Sequence, residues 1–474
     1  RRVLFRSSGV DILNQKKFHM PTAYTILFLL LILVAAATWI IPAGSYDYVD
    51  GVPVAGTYHT VEQNPQGVGD VLKAAFSGFY DAVDVCIFIL MVGGFLGVVM
   101  KTGAVDAGVG NVIRLLGGRE KWLIPILMLL FGLGGTTYGM WEETMAFYPL
   151  LIPVFLAAGY DAVVGISVIL LGAGAGVIAS TVNPFATGIA AGFAGVSLGE
   201  GIVLRLLEWV AFEAAAIWVV MAYAAKVKKN PSKSVVGVGA GKIQVSMDQQ
   251  VPFTAKRKVI MALFTLTFLI MVYAVVPFDE MGLSLPALGW WFPELSALFL
   301  VAGVVIGLID RMSEEELVET YVAGCADLLG VAFIIGISRG ITVLMNDGAI
   351  TDTVLHWGEQ ALSGAGAISF TLLVFALYLP LTILIPSSSG LATLSIPIVA
   401  PLGKFAGVGG DLVVTAFQSA SGLVNIITPT AAVVMGALAL GHVPYDRWVK
   451  YVWKLILWFL LLALAFLVAG VLLG

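Results

Sequence analysis

Two adjacent acids, Glu142 and Glu143, stand with Thr144 in a polar interruption of an apolar chain. The interruption reads Thr136-Thr-Tyr-Gly-Met-Trp-Glu-Glu-Thr144 and separates the apolar stretches 121–135 and 147–158. A carboxylate at membrane depth costs about 2.5–3.5 kcal/mol on insertion scales, so such acids are rarely kept without use. Side by side they suit a guanidinium or ammonium head group, and arginine would offer them a bidentate fork. The competing reading is that both cap the following helix, whose N-terminal dipole favours acids. A second interruption, Pro386-Ser-Ser-Ser-Gly390, divides 368–385 from 391–404 and supplies Ser387, Ser388, Ser389 and Gly390. Serine hydroxyls and a helix N-terminus suit a carboxylate.

Two further breaks follow these. Ser180-Thr-Val-Asn-Pro184 and Asn425-Ile-Ile-Thr-Pro429 each place a proline inside an apolar helix. Proline removes a backbone donor and frees a carbonyl. Broken helices of this kind aim N-termini at anions and free carbonyls at cations. Asn183, Asn425, Thr428 and Thr430 are therefore candidate substrate contacts, and Ser180 and Thr181 candidate ligands of a coupling ion. Arg339 lies in the apolar run 331–344. It reads either as half of a buried ion pair with Asp327 or Asp347, or as an anchor for a substrate carboxylate or a stand-in for a coupling cation. Asp84, Asp327 and Glu213 read as structural acids near helix ends or on weakly polar faces, with proton relay as the alternative.

Other chemistries find no support. The four histidines show no metal-ligand spacing, and Cys86 and Cys325 fall in apolar segments as small packing residues. No histidine neighbours Ser387–Ser389 in sequence, so neither a catalytic nucleophile nor a metal site is read, and no cofactor or nucleic-acid partner is expected. Gly172-Ala-Gly-Ala-Gly176 resembles a dinucleotide fingerprint only superficially and reads as close helix packing.

The elements that must hold these residues are membrane helices. The chain has 474 residues, 59% hydrophobic and 12% charged, with a mean hydropathy of +0.98. Soluble proteins carry about 25% charged residues. A spanning helix needs roughly 20 mostly apolar residues, and such runs recur from 22–42 to 449–473. The expected fold is all-α and polytopic. Trp290, Trp291 and Trp453 read as interfacial anchors.

Cytoplasmic loops are rich in Lys and Arg. The cluster Lys226, Lys228, Lys229, Lys233, Lys242, Lys256, Arg257 and Lys258 marks one long cytoplasmic linker, 226–258. Arg114, Arg119 and Lys121 mark a second inside loop, and Arg447, Lys450 and Lys454 a third. The stretches 44–70 and 278–293 carry no Lys or Arg and belong outside. The N-terminus, including a tail 1–20, then lies in the cytoplasm and the protein in the cytoplasmic (inner) membrane.

The linker divides two halves, 21–225 and 259–474, that match in order. Met100-Lys-Thr-Gly-Ala-Val-Asp106 answers Met345-Asn-Asp-Gly-Ala-Ile-Thr351. Pro149 and Pro153 answer Pro397 and Pro401, and the two proline breaks answer each other. The first half's helix at 85–101 runs inward and its counterpart at 327–345 outward, with the extra span 294–309 causing the flip. The expected architecture is two inverted-topology repeats, each with a re-entrant hairpin (121–158 and 368–404) and a discontinuous helix.

Gly139-Met-Trp-Glu-Glu-Thr-Met-Ala-Phe-Tyr-Pro149 together with Pro386-Ser-Ser-Ser-Gly390 resembles the C4-dicarboxylate anaerobic carrier superfamily, and within it the basic amino acid antiporter branch that includes arginine/ornithine exchangers. The resemblance covers nearly all of the chain from Pro21. It implies an ion-transporter architecture, with a scaffold that dimerises and a transport domain that moves like an elevator. Related sodium/dicarboxylate carriers use Ser-Asn-Thr tips for sodium and substrate carboxylates. This chain has Glu142-Glu143-Thr144 and Ser387-Ser388-Ser389 there, which weighs against both sodium coupling and a dianionic substrate. The reading is a homodimeric exchanger of cationic amino acids, with sodium or proton coupling left open and a sodium- or proton-coupled organic-acid carrier as the alternative.

Overall fold

The computed structural model describes residues 23–50, 52–105, 107–108, 111, 119–137, 139–197, 199–237, 252–275 and 284–473. The tail 1–20, Asp106, Arg114, Tyr138, Lys242 and residues 278–283 of the expected outside loop lie outside the described residues.

The described chain is almost entirely helical. Helix α1 is Ala23–Ala37, α2 Val68–Asp81 and α3 Val83–Lys101. Next come α4 (Leu123–Thr137), α5 (Tyr148–Ala157), α6 (Ala162–Ile178), α7 (Ile189–Ala194) and α8 (Ile202–Lys229). The second half holds α9 (Ala255–Val275), α10 (Phe292–Asp310), α11 (Glu314–Asp347), α12 (Thr351–Leu362) and α13 (Ala367–Leu384). It ends with α14 (Ser388–Ala406), α15 (Gly410–Asn425), α16 (Ala432–Leu440) and α17 (Tyr445–Leu473). Among the described residues six of these, α3, α10, α11, α13, α14 and α17, are long and apolar enough to cross a membrane. The protein is a multi-pass membrane protein.

The all-α expectation needs one small amendment. Residues 44–60 form two short antiparallel pairs, β1 (Gly44–Ser45) with β4 (His59–Thr60) and β2 (Tyr48–Val49) with β3 (Val52–Pro53). They are clamped onto α12. Asp352 accepts hydrogen bonds from the Tyr46 amide at 3.0 Å and the Tyr48 hydroxyl at 2.7 Å, while Glu359 accepts from the Tyr46 hydroxyl at 2.8 Å. Burial and these carboxylate partners push both phenols up from their ordinary range.

Two groups of helices pack among themselves. In one, α11 lies along α2 and α3, α10 packs on α3, α9 on α10, and α1 on α11. In the other, α6 sits between α4, α5, α8 and α15, while α15 packs on α13, α14 and α17. Each group is drawn together at glycines. A Cβ on Gly78 of α2 would lie 2.1 Å from the Gly336 carbonyl of α11, and one on Gly176 of α6 would lie 2.2 Å from the Gly132 carbonyl of α4. The Gly172–Gly176 run therefore serves helix packing. Small residues admit such backbone contact where no hydrophobic force drives helices together in lipid. Gly176→Val is expected to lower the thermal unfolding midpoint in detergent clearly, since overpacking costs about 1–3 kcal/mol; an unchanged midpoint would count against this contact.

Helix α11 departs from expectation. The sequence suggested a helix over 327–345, yet one unbroken 34-residue helix starts at Glu314. Ser313 caps it by accepting from the Glu316 amide at 3.1 Å, and Glu314, Glu315 and Glu316 complement the dipole of the first turn. Asp327 therefore lies within the helix, not near its end.

Candidate functional site

Helix α4 ends at Thr137, and the chain turns at Gly139, whose φ is +79°. The Met140 amide reaches back to the Gly134 carbonyl at 3.1 Å. A short 3-10 turn, Glu142–Phe147, then leads into α5. Within it the two acids part company. Glu143 is 6% exposed and accepts a hydrogen bond from the Trp141 amide at 3.1 Å, so its carboxylate shapes the turn that carries it. Glu142 is half-buried. Thr144 is buried and donates to the Trp141 carbonyl.

The break after α6 is fastened to the end of α4. The Thr181 amide and hydroxyl donate to the Thr136 carbonyl at 2.8 and 2.9 Å, and the Thr136 hydroxyl donates to the Ala179 carbonyl at 2.8 Å. That knot brings Asn183 against Gly139, where a Cβ would stand 2.5 Å from the Asn183 Nδ2. A π-helical turn, Pro184–Gly188, follows.

In the second half Pro386 keeps Ile385 out of helical geometry (φ −118°, ψ 84°) and ends α13. Ser387 caps α14 by accepting from the Gly390 amide at 3.2 Å. The interruption is shorter than the sequence suggested, since Ser388, Ser389 and Gly390 already belong to α14. Its arms α13 and α14 are each long enough to cross a membrane, unlike α4 and α5. The last break separates α15 from α16. Carbonyls freed there find donors on α17: Trp448 Nε1 reaches Ile426 at 3.1 Å and the Tyr445 hydroxyl reaches Ile427 at 2.7 Å. Thr428 and Thr430 hydroxyls bond to each other at 2.8 Å, and Ser338 donates to the Thr430 carbonyl at 2.6 Å.

All four interruptions meet at two adjoining cavities. The larger, about 130 Å³, has room for several waters at about 10–15 Å³ each by the same measure. Glu142, Glu143, Asn183, Arg339 and Asn425 line it, with Ser387, Ser388 and Ser389. The smaller, about 50 Å³, shares Glu142, Arg339, Ser388 and Asn425 and adds Thr430. Neither wall includes Thr144, Ser180, Thr181, Gly390 or Thr428.

Several wall residues are not among those singled out in the sequence. Trp141 lines both cavities, and its place between Gly139 and Glu142 was a usable signal. Trp291, read from the sequence as an interfacial anchor, also lines the larger cavity with Phe292. Arg339 has its ion pair with Asp81, at 3.8 Å, in place of Asp327 or Asp347. Glu213 lies in mid-α8, 2% exposed, with its carboxyl set over Gly132. Glu208, fully buried on the same helix, accepts from the Ser419 hydroxyl at 2.8 Å. No group of three or more His, Cys, Asp or Glu able to hold a metal occurs among the described residues.

Apolar helices of membrane-crossing length, with helix breaks gathered around a partly open cavity of mixed charge, fit a multi-pass membrane transporter. The chain belongs to the C4-dicarboxylate anaerobic carrier family, whose pattern matches residues 20–472. A Haemophilus influenzae protein described as uncharacterized is 35% identical over 97% of this chain and 98% of its own. An Escherichia coli K12 protein named "Putative basic amino acid antiporter YfcC" is 30% identical over 92% of this chain and 93% of its own. Among solved structures, the Alcanivorax borkumensis YdaH transporter aligns over 94% of this chain and 98% of its own, with 15% identity and a TM-score of 0.43.

Proposed function

We propose that this carrier is an antiporter of cationic amino acids of the arginine/ornithine kind. The observation that carries the reading is the charge balance of the larger cavity: Glu142 and Glu143 face a single guanidinium, Arg339, beside the N-terminal end of α14. A cationic amino acid satisfies both sides. Its head group neutralises the acids, and its carboxylate meets Ser387, Ser388 and Ser389 at a helix N-terminus. A carboxylate–guanidinium pair shielded from water is worth several-fold its value in bulk. The name of the Escherichia coli relative points the same way.

The proposed mechanism is elevator-type alternating access. The units 121–158 and 368–404 act as re-entrant hairpins of two inverted repeats. The group built on α4, α6, α8 and α15 moves past the group built on α2, α3 and α11, which stays fixed. The fixed group forms a homodimer through α1, α9 and α10, whose outer faces expose Leu33, Leu269 and Leu308 at 62%, 61% and 63%. Mass measurement in detergent and in nanodiscs is expected to give a dimer; a monomer in both would remove that part. The carrier works in the cytoplasmic (inner) membrane with its N-terminus and linker 226–258 in the cytoplasm, without a cofactor and with sodium or proton coupling.

A second reading, a sodium- or proton-coupled carrier of C4-dicarboxylates or other organic acids, is favoured by the family's description and by Arg339 with the serine tip. Two facing carboxylates oppose a dianion. Proteoliposomes separate the readings. With matching unlabelled substrate inside, labelled arginine is expected to enter, with sodium or a proton gradient changing its rate. Robust succinate exchange without arginine exchange would reverse the assignment.

A further inference from the structure

We infer that Arg339 is a charge latch that holds the unloaded carrier still and thereby makes it an exchanger. The inference rests on the cationic-substrate reading and assigns the residue that enforces exchange.

Arg339 is fixed in one helix group. Its backbone lies where α2 and α11 touch, with a Cβ on Gly78 falling 3.0 Å from the Arg339 carbonyl carbon and 2.5 Å from the Gly340 nitrogen. Only its side chain has freedom. On its own group it has Asp81, at 3.8 Å, where Asp81 is 52% exposed and Arg339 23%. That pair is long and wet, and exposed pairs of this kind hold weakly. On the other group Glu142 lines both cavities with it. Among the described residues neither cavity wall holds another cationic side chain.

The attraction between Arg339 and Glu142 therefore runs across the boundary between the two groups. With the site empty, that attraction ties the moving hairpin tip to the fixed helices. A cationic substrate at Glu142 and Glu143 supplies the opposing charge from the moving side, cancels the attraction and repels Arg339 towards Asp81. Loading frees the moving group, and unloading ties it again. An empty carrier that stays tied cannot return alone, so each inward step needs a substrate for the outward one. Arg339 acts here through Glu142 and is a positioning residue. A ligand with no differential interaction with two states cannot shift them, and this contact supplies the difference.

The test compares two effluxes from proteoliposomes loaded with labelled arginine, one into arginine-free medium and one into medium containing arginine. The unmodified protein is expected to release label mainly with arginine outside. Arg339→Gln is expected to raise the net efflux relative to exchange, lowering their ratio about fivefold or more, the low end of coupling between sites. Arg339→Lys restores the ratio at least in part. Asp81→Asn moves it the other way, because an Arg339 without its resting partner ties Glu142 more firmly; this variant carries the test if Arg339→Gln fails to fold. An unchanged ratio in both variants while the unmodified protein exchanges arginine overturns the latch alone. No arginine exchange by the unmodified protein overturns the functional reading, and the latch with it.

Discussion

Glu142→Gln is expected to weaken arginine exchange about tenfold to a hundredfold while leaving the fold intact. The substitution keeps volume and removes only the charge. A hydrogen bond to a charged group is worth about 1.5–3 kcal/mol, and each 1.4 kcal/mol is a factor of ten. The loss should appear in KM for a cationic substrate and much less in transport of any neutral one. Glu143→Gln is expected to do less to affinity and more to stability, because one Glu143 oxygen already accepts from the Trp141 amide at 3.1 Å and the side chain is 6% exposed. The order of the two effects is the informative part. If Glu143→Gln raises KM more than Glu142→Gln does, then the inner acid holds the head group and the division of labour between them is reversed. If neither changes KM, both acids serve the turn alone.

The sequence made the membrane class and the places of the interruptions legible because the signals are local. Apolar runs of membrane length, a proline in mid-helix and a pair of acids in lipid-depth sequence each violate or satisfy a rule within a few residues. The cavity walls contributed by Glu142, Asn183, Ser388 and Asn425 came from such signals. What was not legible depends on distant parts of the chain meeting. Asp81 and Arg339 are separated by most of the chain, so their pairing could not be read from spacing, and nearer acids in sequence were favoured wrongly. That Trp291 also borders the cavity could not be read either, because nothing in its own neighbourhood tells of it. The start of α11 was missed for a different reason: its first two turns are polar, and hydropathy marks where a helix enters lipid, not where it begins. Among the hydroxyls, those at the two proline breaks were the hardest to read. Thr181 and Thr428 sit at the expected breaks, yet their side chains bond to Thr136 and Thr430 and reach neither cavity wall.

Gly139→Ala is expected to abolish most transport although it adds a single methyl group. Two independent effects act at this position. The backbone has φ +79°, a left-handed conformation that costs an L-residue with a Cβ roughly 1–2 kcal/mol. The Cβ would also stand 2.5 to 2.6 Å from the Asn183 amide group. Asn183 is 3% exposed and its segment is tied to α4 through Thr136 and Thr181, so the amide has little room to yield. Relief has to come from the turn itself, which would shift Trp141, Glu142 and Glu143 relative to Asn183 and the serines across the cavity. Displacements of about 1 Å at a positioned site can cost a hundredfold in rate. The helices on either side carry none of this strain, so circular dichroism and the mass of the particle in detergent should match those of the unmodified protein while the proposed arginine exchange falls. Gly192→Ala is the matched control. It lies in α7, its added Cβ meets nothing within 4 Å, and alanine is the better helix former there. Full exchange by Gly139→Ala, or an equal loss in Gly192→Ala, would show that the tight turn at Gly139 does not set the geometry of the acids.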